Sequence, residues 1–324
     1  MLGTQIDQEI STPSIEEQKS QFQKDISKYR YLSNILVFYP DLFLDMITPA
    51  TGGIRLDFDQ RIFFRAITRF YSTYGVFPRG WGKTWSEVLA MFLVAIRYPD
   101  VKLAITAQTL ENSVRILKDK YYEIIKQYPL FKGEIFDYHF SKNDGDIVFT
   151  SGSTITALAN AQSSKGLRKH RIQIEESALL NNEVYQDALE PIPEVPRRTI
   201  GKLSVVNPEE LNGQINFFST SGFRNSTEFM RNVDMIHKMA RLEGDMVLGS
   251  DWQLACWYGR GSGKDKIFKK KEELSPLFFA QNYESRWVLN SPIIPRGVLQ
   301  NLVNPYLRGV LLTFILNYDI MTKG

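Results

Sequence analysis

Residues 71–96 prescribe a strand, a tight loop and a helix, in that order. Tyr71-Ser72-Thr73-Tyr74-Gly75-Val76-Phe77 is aromatic and β-prone, Trp85-Ser86-Glu87-Val88-Leu89-Ala90-Met91-Phe92-Leu93-Val94-Ala95-Ile96 is helix-prone and apolar, and Pro78-Arg79-Gly80-Trp81-Gly82-Lys83-Thr84 joins them. A phosphate-binding loop needs that context. Gly82 lets backbone N–H groups approach a phosphate, Lys83 can reach a β or γ phosphate, and the Thr84 hydroxyl can ligate Mg²⁺ at a helix N-terminus. Arg79, Gly80, Trp81, Gly82, Lys83 and Thr84 are therefore the candidate nucleotide contacts. The loop departs from the common pattern: Phe77 stands where the first glycine of G-x-x-x-x-G-K-[ST] falls, and Arg79 lies inside it. The alternative is a chance Gly-Lys-Thr, with the Gly as a turn and the Thr as a helix cap.

A second segment decides between these readings. His170-Arg171-Ile172-Gln173-Ile174 reads as a buried strand that runs into Glu175-Glu176. A phosphate-loop site needs an acid at the end of a neighbouring strand to hold Mg²⁺, and often another to activate water. Successive residues leaving a strand diverge, so Glu175 can face the metal and Glu176 the attacking water. Ile215-Asn216-Phe217-Phe218 likewise runs into Ser219-Thr220-Ser221, whose hydroxyls could sense the γ-phosphate or simply cap a turn. Gln60, in Leu56-Asp57-Phe58-Asp59-Gln60, could aim its amide at an adenine edge. Lys165-Gly166-Leu167-Arg168-Lys169-His170-Arg171 is a basic loop feeding the glutamate strand, where a cation beside a γ-phosphate would stabilise transition-state charge. Gly259-Arg260-Gly261-Ser262-Gly263-Lys264-Asp265 imitates a second phosphate loop, but Asp265 would repel phosphate, so it is expected to be a flexible turn.

The rest of the chain reads as alternating strands and helices. Helices are expected from Ser14 towards Tyr39, over Asp57–Ile67, Leu110–Tyr128 and about Glu183–Leu189; Val101–Ala107 is a buried strand and residues 146–158 a hairpin. This pattern predicts an α/β fold with a mainly parallel sheet covered on both faces and ligands at the C-terminal strand ends. From Asp251 a basic helix-and-loop segment suggests a small subdomain. With one cysteine, Cys256, and three histidines there is neither an internal disulfide nor a zinc-ligand spacing. No apolar run approaches the ~18 residues of a membrane span, so a soluble, intracellular protein without membrane contact is expected. The net charge of +3 is compatible with a nucleic-acid partner without pointing to one.

Together these residues resemble the ATPase domain of the large terminase subunit, the DNA-packaging motor of tailed bacteriophages and herpesviruses. The resemblance runs over roughly residues 50–290. Leu56–Gln60 looks like the family's adenine-binding Q motif, Arg79–Thr84 like its deviant Walker A, Ile172–Glu176 like its Walker B with catalytic glutamate, and Ser219–Ser221 like its coupling motif. Phe278–Trp287 is similar to the segment that closes the lid subdomain. The resemblance implies a P-loop NTPase of the additional-strand catalytic-glutamate class with a small C-terminal lid. The expected divisions are a helical extension over 1–50, the ATPase core over 51–245, the lid over 246–308, and a nuclease start over 309–324. The implied cofactors are ATP and Mg²⁺. The implied partners are double-stranded DNA, the portal protein, the small terminase subunit and copies of the chain itself in a ring on the portal, with a monomer in isolation left open. The implied location is the host-cell cytoplasm, transiently at the procapsid portal and not in the mature virion.

Three departures matter. Glu175 stands where the family usually has Asp, which lengthens the reach to metal without changing the charge. The place of the family's trans-acting arginine finger is taken by Lys165, with Arg168 close by, and which of the two acts stays open. Leu311–Asp319 looks like the first strand of the family's nuclease domain, with Asp319 as a metal ligand, or else is a terminal hydrophobic tail; a lone Asp builds no two-metal site, so DNA cleavage is not expected. The competing functions are a helicase-like DNA-dependent ATPase, a metabolic kinase and a non-catalytic nucleotide-binding scaffold. A tandem-motor helicase needs a second α/β domain, a kinase needs an acceptor pocket and lid arginines not found in the sequence, and the retained Lys83, Glu175 and Glu176 argue against a scaffold.

Overall fold

The computed structural model describes residues 15–199, 204–208 and 210–289. Ten helices and eight strands fall among them: α1 (Ile15–Phe38), α2 (Pro40–Ile47), α3 (Phe58–Arg69), β1 (Ser72–Val76), α4 (Lys83–Arg97), β2 (Lys102–Ala107), α5 (Leu110–Gln127), β3 (Ile135–Phe140), β4 (Gly145–Phe149), β5 (Thr154–Ala159), β6 (Arg171–Glu175), α6 (Asn182–Val184), β7 (Gln214–Ser219), α7 (Thr227–Ala240), β8 (Asp245–Gly249), α8 (Trp252–Trp257), α9 (Lys264–Glu273) and α10 (Pro276–Asn282). Short 3₁₀ turns and one π turn, Tyr185–Leu189, connect them.

All eight strands form one sheet in the order β3-β4-β5-β2-β6-β7-β1-β8. From β5 to β8 every neighbouring pair is parallel, while β4 is antiparallel to both β3 and β5. β7 thus lies between β1, which leads into the glycine-rich loop, and β6, which ends in Glu175. Register pairs Val76 with Ser219 and Glu175 with Phe218, so three strand ends that carry candidate residues lie side by side.

Burial explains why α4 forms where it does. Residues Val88 through Ala95 are all buried, and each large apolar side chain removed from water contributes about 1.5–3 kcal/mol. With α3 and α5, α4 covers one face of the sheet; Tyr185, Leu189, Ile192 and Met235 pack against the other. A third cluster of Trp252, Ile267, Phe279 and Tyr283 holds α8, α9 and α10 together, the segment expected as a lid. At the N-terminal side, Asp41 is fully buried and takes the Arg65 guanidinium through two bonds of 2.7 and 2.8 Å, which fastens α2 to α3.

Two strands were not anticipated. β8 reads Asp-Met-Val-Leu-Gly and is only half buried, and β3 alternates aromatics with Asp137 and His139 on an exposed edge, so neither carries the apolar run of an inner strand. β8 pairs with β1 over its full length, at the edge of the sheet. Among the described residues no helix is long and apolar enough to cross a membrane. Leu311–Asp319 lies outside the described residues.

Candidate active site

A cleft of about 1150 Å³ opens at the C-terminal ends of β1, β6 and β7. Residues 79–84, Glu175, Glu176 and residues 219–221 all line it, together with Gln60. Its outer wall is α5, through Arg115, Asp119, Lys120 and Glu123.

The loop into α4 is shaped by its glycines. Gly82 sits at φ +93° as the residue before the helix, with no side-chain cap, so the first N–H groups of α4 are left for another acceptor. Gly80, at φ +85°, touches the second glycine-rich turn: a Cβ there would lie 2.9 Å from the Cα of Gly261. Trp81 is fully buried, stacked on Phe77 at 4.0 Å, and its indole N–H donates to Asp59 at 2.7 Å. Phe77, where a glycine is usual, therefore forms the floor on which the loop rests.

Lys83 Nζ lies 3.1 Å from Glu175 Oε1, and the Thr84 hydroxyl donates to the same oxygen. Burial opposes the charge on Lys83, yet the Glu175 carboxylate beside it holds its pKa above the ordinary value. Burial also opposes ionisation of Glu175, but Lys83 and hydrogen-bond donors beside it keep its carboxyl below the usual range. Glu175 is thus a buried, ionised carboxylate, with the Thr84 hydroxyl, Lys83 and the Glu87 carboxyl beside it. Glu176 is exposed to the cleft, on a turn where its own φ is +54°. One glutamate is packed against lysine and threonine and the other faces the open cleft, in accord with the divergence expected of the pair.

The remaining candidates divide. Ser219 accepts from the N–H of Ala178 (3.2 Å), just beyond Glu176. The Ser221 hydroxyl lies 3.1 Å from Gln281 O and 2.7 Å from Arg286 O, which ties the end of β7 to α10 and the segment after it. Arg79 is exposed in the cleft, with its Nε donating to Asn282 Oδ1 at 2.7 Å. Gln60 is buried, and its Oε1 accepts from the N–H of Asp57 (3.1 Å) as half of a capping box. Its Nε2 faces Gly82.

Lys165 and Arg168 do not line this cleft. Lys165 pairs with Asp187 at 2.5 Å on the surface, and Arg168 is exposed. Asp319 lies outside the described residues.

The turn expected to be flexible is instead packed against the site. Arg260 reaches Asp57 at 2.9 Å and Asp59 at 2.6 Å, donates to Trp81 O at 2.9 Å and lies over the Trp81 ring at 5.1 Å. No local pattern announces this, because the partners are distant in sequence. Glu87 was also missed. It is fully buried one turn beyond Thr84, and burial, then the neighbouring Glu175 carboxylate, push its pKa well above the usual range. Its signal was an ionisable residue inside an otherwise apolar helix.

Among solved structures the chain is similar to large terminases. It aligns with that of bacteriophage HK97 over 81% of its own length and 57% of the other, at TM-score 0.55 and 12% identity. With the large terminase of a thermophilic bacteriophage, solved with ADP, the shares are 72% and 54%, at TM-score 0.55 and 11% identity. A mutant ATPase domain from Thermus phage P74-26 is matched over 74% of this chain and 100% of that domain, at TM-score 0.52 and 12% identity. The chain thus spans about half the length of the larger proteins. No family model and no curated protein matches the sequence. What is shared is the α/β fold of large-terminase ATPase domains.

Proposed function

We propose that this chain is the ATP-hydrolysing part of a viral DNA-packaging motor, which moves double-stranded DNA into a procapsid. The observation that carries the reading is the convergence of Lys83, Thr84 and Glu175 within bonding distance while Glu176 faces the same cleft from the adjoining turn. Lys83 and Arg79 would hold the phosphates, aided by the uncapped N–H groups of α4. Gln60 would meet the adenine, since a carbonyl oxygen that already accepts one bond retains a second lone pair and the amide nitrogen still donates.

The site fits Mg²⁺. Thr84 Oγ1 and Glu175 are hard oxygen donors beside each other in the cleft. When bound, the ion would neutralise charge developing on the transferred phosphoryl group. Glu176 would orient and polarise the attacking water, as its exposed position on the cleft side allows. Ser219, Thr220 and Ser221 would couple hydrolysis to movement. Ser219 touches the turn that carries Glu176, and Ser221 touches the end of α10, so displacement at one is felt at the other.

The wider setting follows from the same reading. The core of residues 51–245 would work with a lid over 246–308, in a ring of copies on the portal and with the small terminase subunit as a partner. Lys165 or Arg168, exposed and outside this chain's own cleft, would act in a neighbour's site. The host-cell cytoplasm would be the working compartment. A helicase-like DNA-dependent ATPase is the second reading, favoured by the same cleft. The test is ATP turnover by the purified chain, with and without duplex DNA and portal protein. Stimulation by portal-bound procapsids supports packaging, stimulation by DNA alone favours the helicase-like reading, and no turnover under any of these conditions removes both.

A further inference from the structure

Glu176 occupies a backbone conformation that a non-glycine residue rarely adopts, with φ +54° and ψ +41°. Such a residue persists only where its surroundings over-determine it. Two anchors hold the turn that follows. On one side, Ser219 accepts from the N–H of Ala178. On the other, Ser177 is fully buried and its hydroxyl donates to the Tyr74 oxygen at 3.4 Å.

The second anchor leads away from the cleft. Tyr74 is fully buried in β1, stacked on Phe217, and its hydroxyl donates to Glu228 Oε1 at 2.7 Å. Glu228, on α7, is paired with Arg231. Arg231 in turn donates to Asn182 Oδ1 at 3.0 Å and lies 4.3 Å over the Tyr185 ring. One carboxylate–guanidinium pair on α7 therefore fastens both ends of the segment from Ser177 to Asn182. Burial raises the Tyr74 pKa well above the ordinary value, so its hydroxyl keeps the proton it donates. None of Tyr74, Ser177, Asn182, Glu228 and Arg231 lines the cleft.

We infer that Tyr74 and Glu228 are positioning residues for Glu176: through Ser177 and Arg231 they clamp the turn that aims its carboxylate at the nucleotide. The inference rests on the ATPase reading above. A clamp behind the turn acts on hydrolysis and leaves nucleotide binding alone, because none of its residues lines the cleft. A merely structural role would lower stability and nucleotide affinity together.

The test is Tyr74→Phe, which removes the hydroxyl and keeps the stack on Phe217, alongside Ser177→Ala, which breaks the same link from the turn. Each should lower ATP turnover at saturating nucleotide by about three- to tenfold, the worth of one neutral hydrogen bond. Affinity for Mg·ATP, measured by fluorescent-nucleotide displacement, should stay within about twofold, because no phosphate contact is touched. In a Glu176→Gln background neither variant should reduce the residual rate further, since the clamp acts only through that side chain. Losses that multiply in the Glu176→Gln background, or affinity that falls in step with turnover, would overturn the inference. If Tyr74→Phe does not fold, Ser177→Ala alone decides it by the same two readouts. A failure of the ATPase reading itself is distinct: wild-type chain and Glu176→Gln would then show the same absence of turnover, and the inference would fall with it.

Discussion

Replacing Arg260 by alanine separates a clamp on the phosphate loop from a passing surface contact. Arg260 spans two carboxylates, Asp57 and Asp59, and the carbonyl of Trp81, with its side chain 15% exposed and those of the aspartates 28% and 13%. An ion pair on the open surface contributes roughly 0–1 kcal/mol, whereas removing one partner of a buried pair costs about 3–5 kcal/mol. At these exposures Arg260→Ala should cost about 2–3 kcal/mol, since burial already disfavours the charge of Asp57, which loses its cation. Because Trp81 Nε1 shares Asp59 with Arg260, the loss should also loosen the loop, and the KM for ATP should rise more than kcat falls. Arg260→Lys should recover less than half of either effect, because an ammonium cannot serve three acceptors as a planar fork does. Urea unfolding and steady-state turnover on the three proteins measure both. An Arg260→Ala chain within about 0.5 kcal/mol of wild type and with unchanged KM would show that the turn merely rests on the loop.

Lys83→Ala should abolish productive nucleotide binding, measured as loss of both turnover and nucleotide displacement, because a point charge on the β and γ phosphates is removed where screening is poor. Glu176→Gln should bind ATP yet hydrolyse it by orders of magnitude more slowly, while Glu175→Gln should chiefly change the Mg²⁺ dependence; the reverse pattern would exchange the two roles. An inactive Glu176→Gln chain mixed with Arg168→Ala or Lys165→Ala should regain some turnover if either cation works in a neighbour's site, and no recovery at any ratio, with assembly confirmed by scattering, would count against it. His170 is held at a pKa of about 4 by burial and by Lys102 and Arg197. The unfolded chain then takes up the proton first, so stability present above the ordinary value near 6.5 should fall as pH drops towards 4. His170→Asn should flatten that part of the unfolding-versus-pH curve.

What could be read from the sequence, and what could not, divides by the range of the interactions involved. The glycine-rich loop after β1, the strand into Glu175 and the helices α3, α4 and α5 declare themselves through contiguous patterns, because each is shaped by neighbours within a turn or a strand. The edge strands β3 and β8 do not, since half-exposed residues carry no continuous apolar signal. Side chains that act across the fold are silent for another reason. Arg260 meets Asp59 across 201 positions and Tyr74 meets Glu228 across 154, so no local spacing records either pair. Gly259–Asp265 is expected to be a flexible turn because Asp265 would repel phosphate, yet its glycines allow the chain to approach: the Cα of Gly261 lies where a Cβ on Gly80 would need room. The same residue type that signals freedom in a sequence thus permits close packing once a partner backbone arrives. The candidate residues of the cleft could be named because they sit at strand ends that the topology aligns, while the groups packed around and behind them come from β1, α7 and the turn before α9.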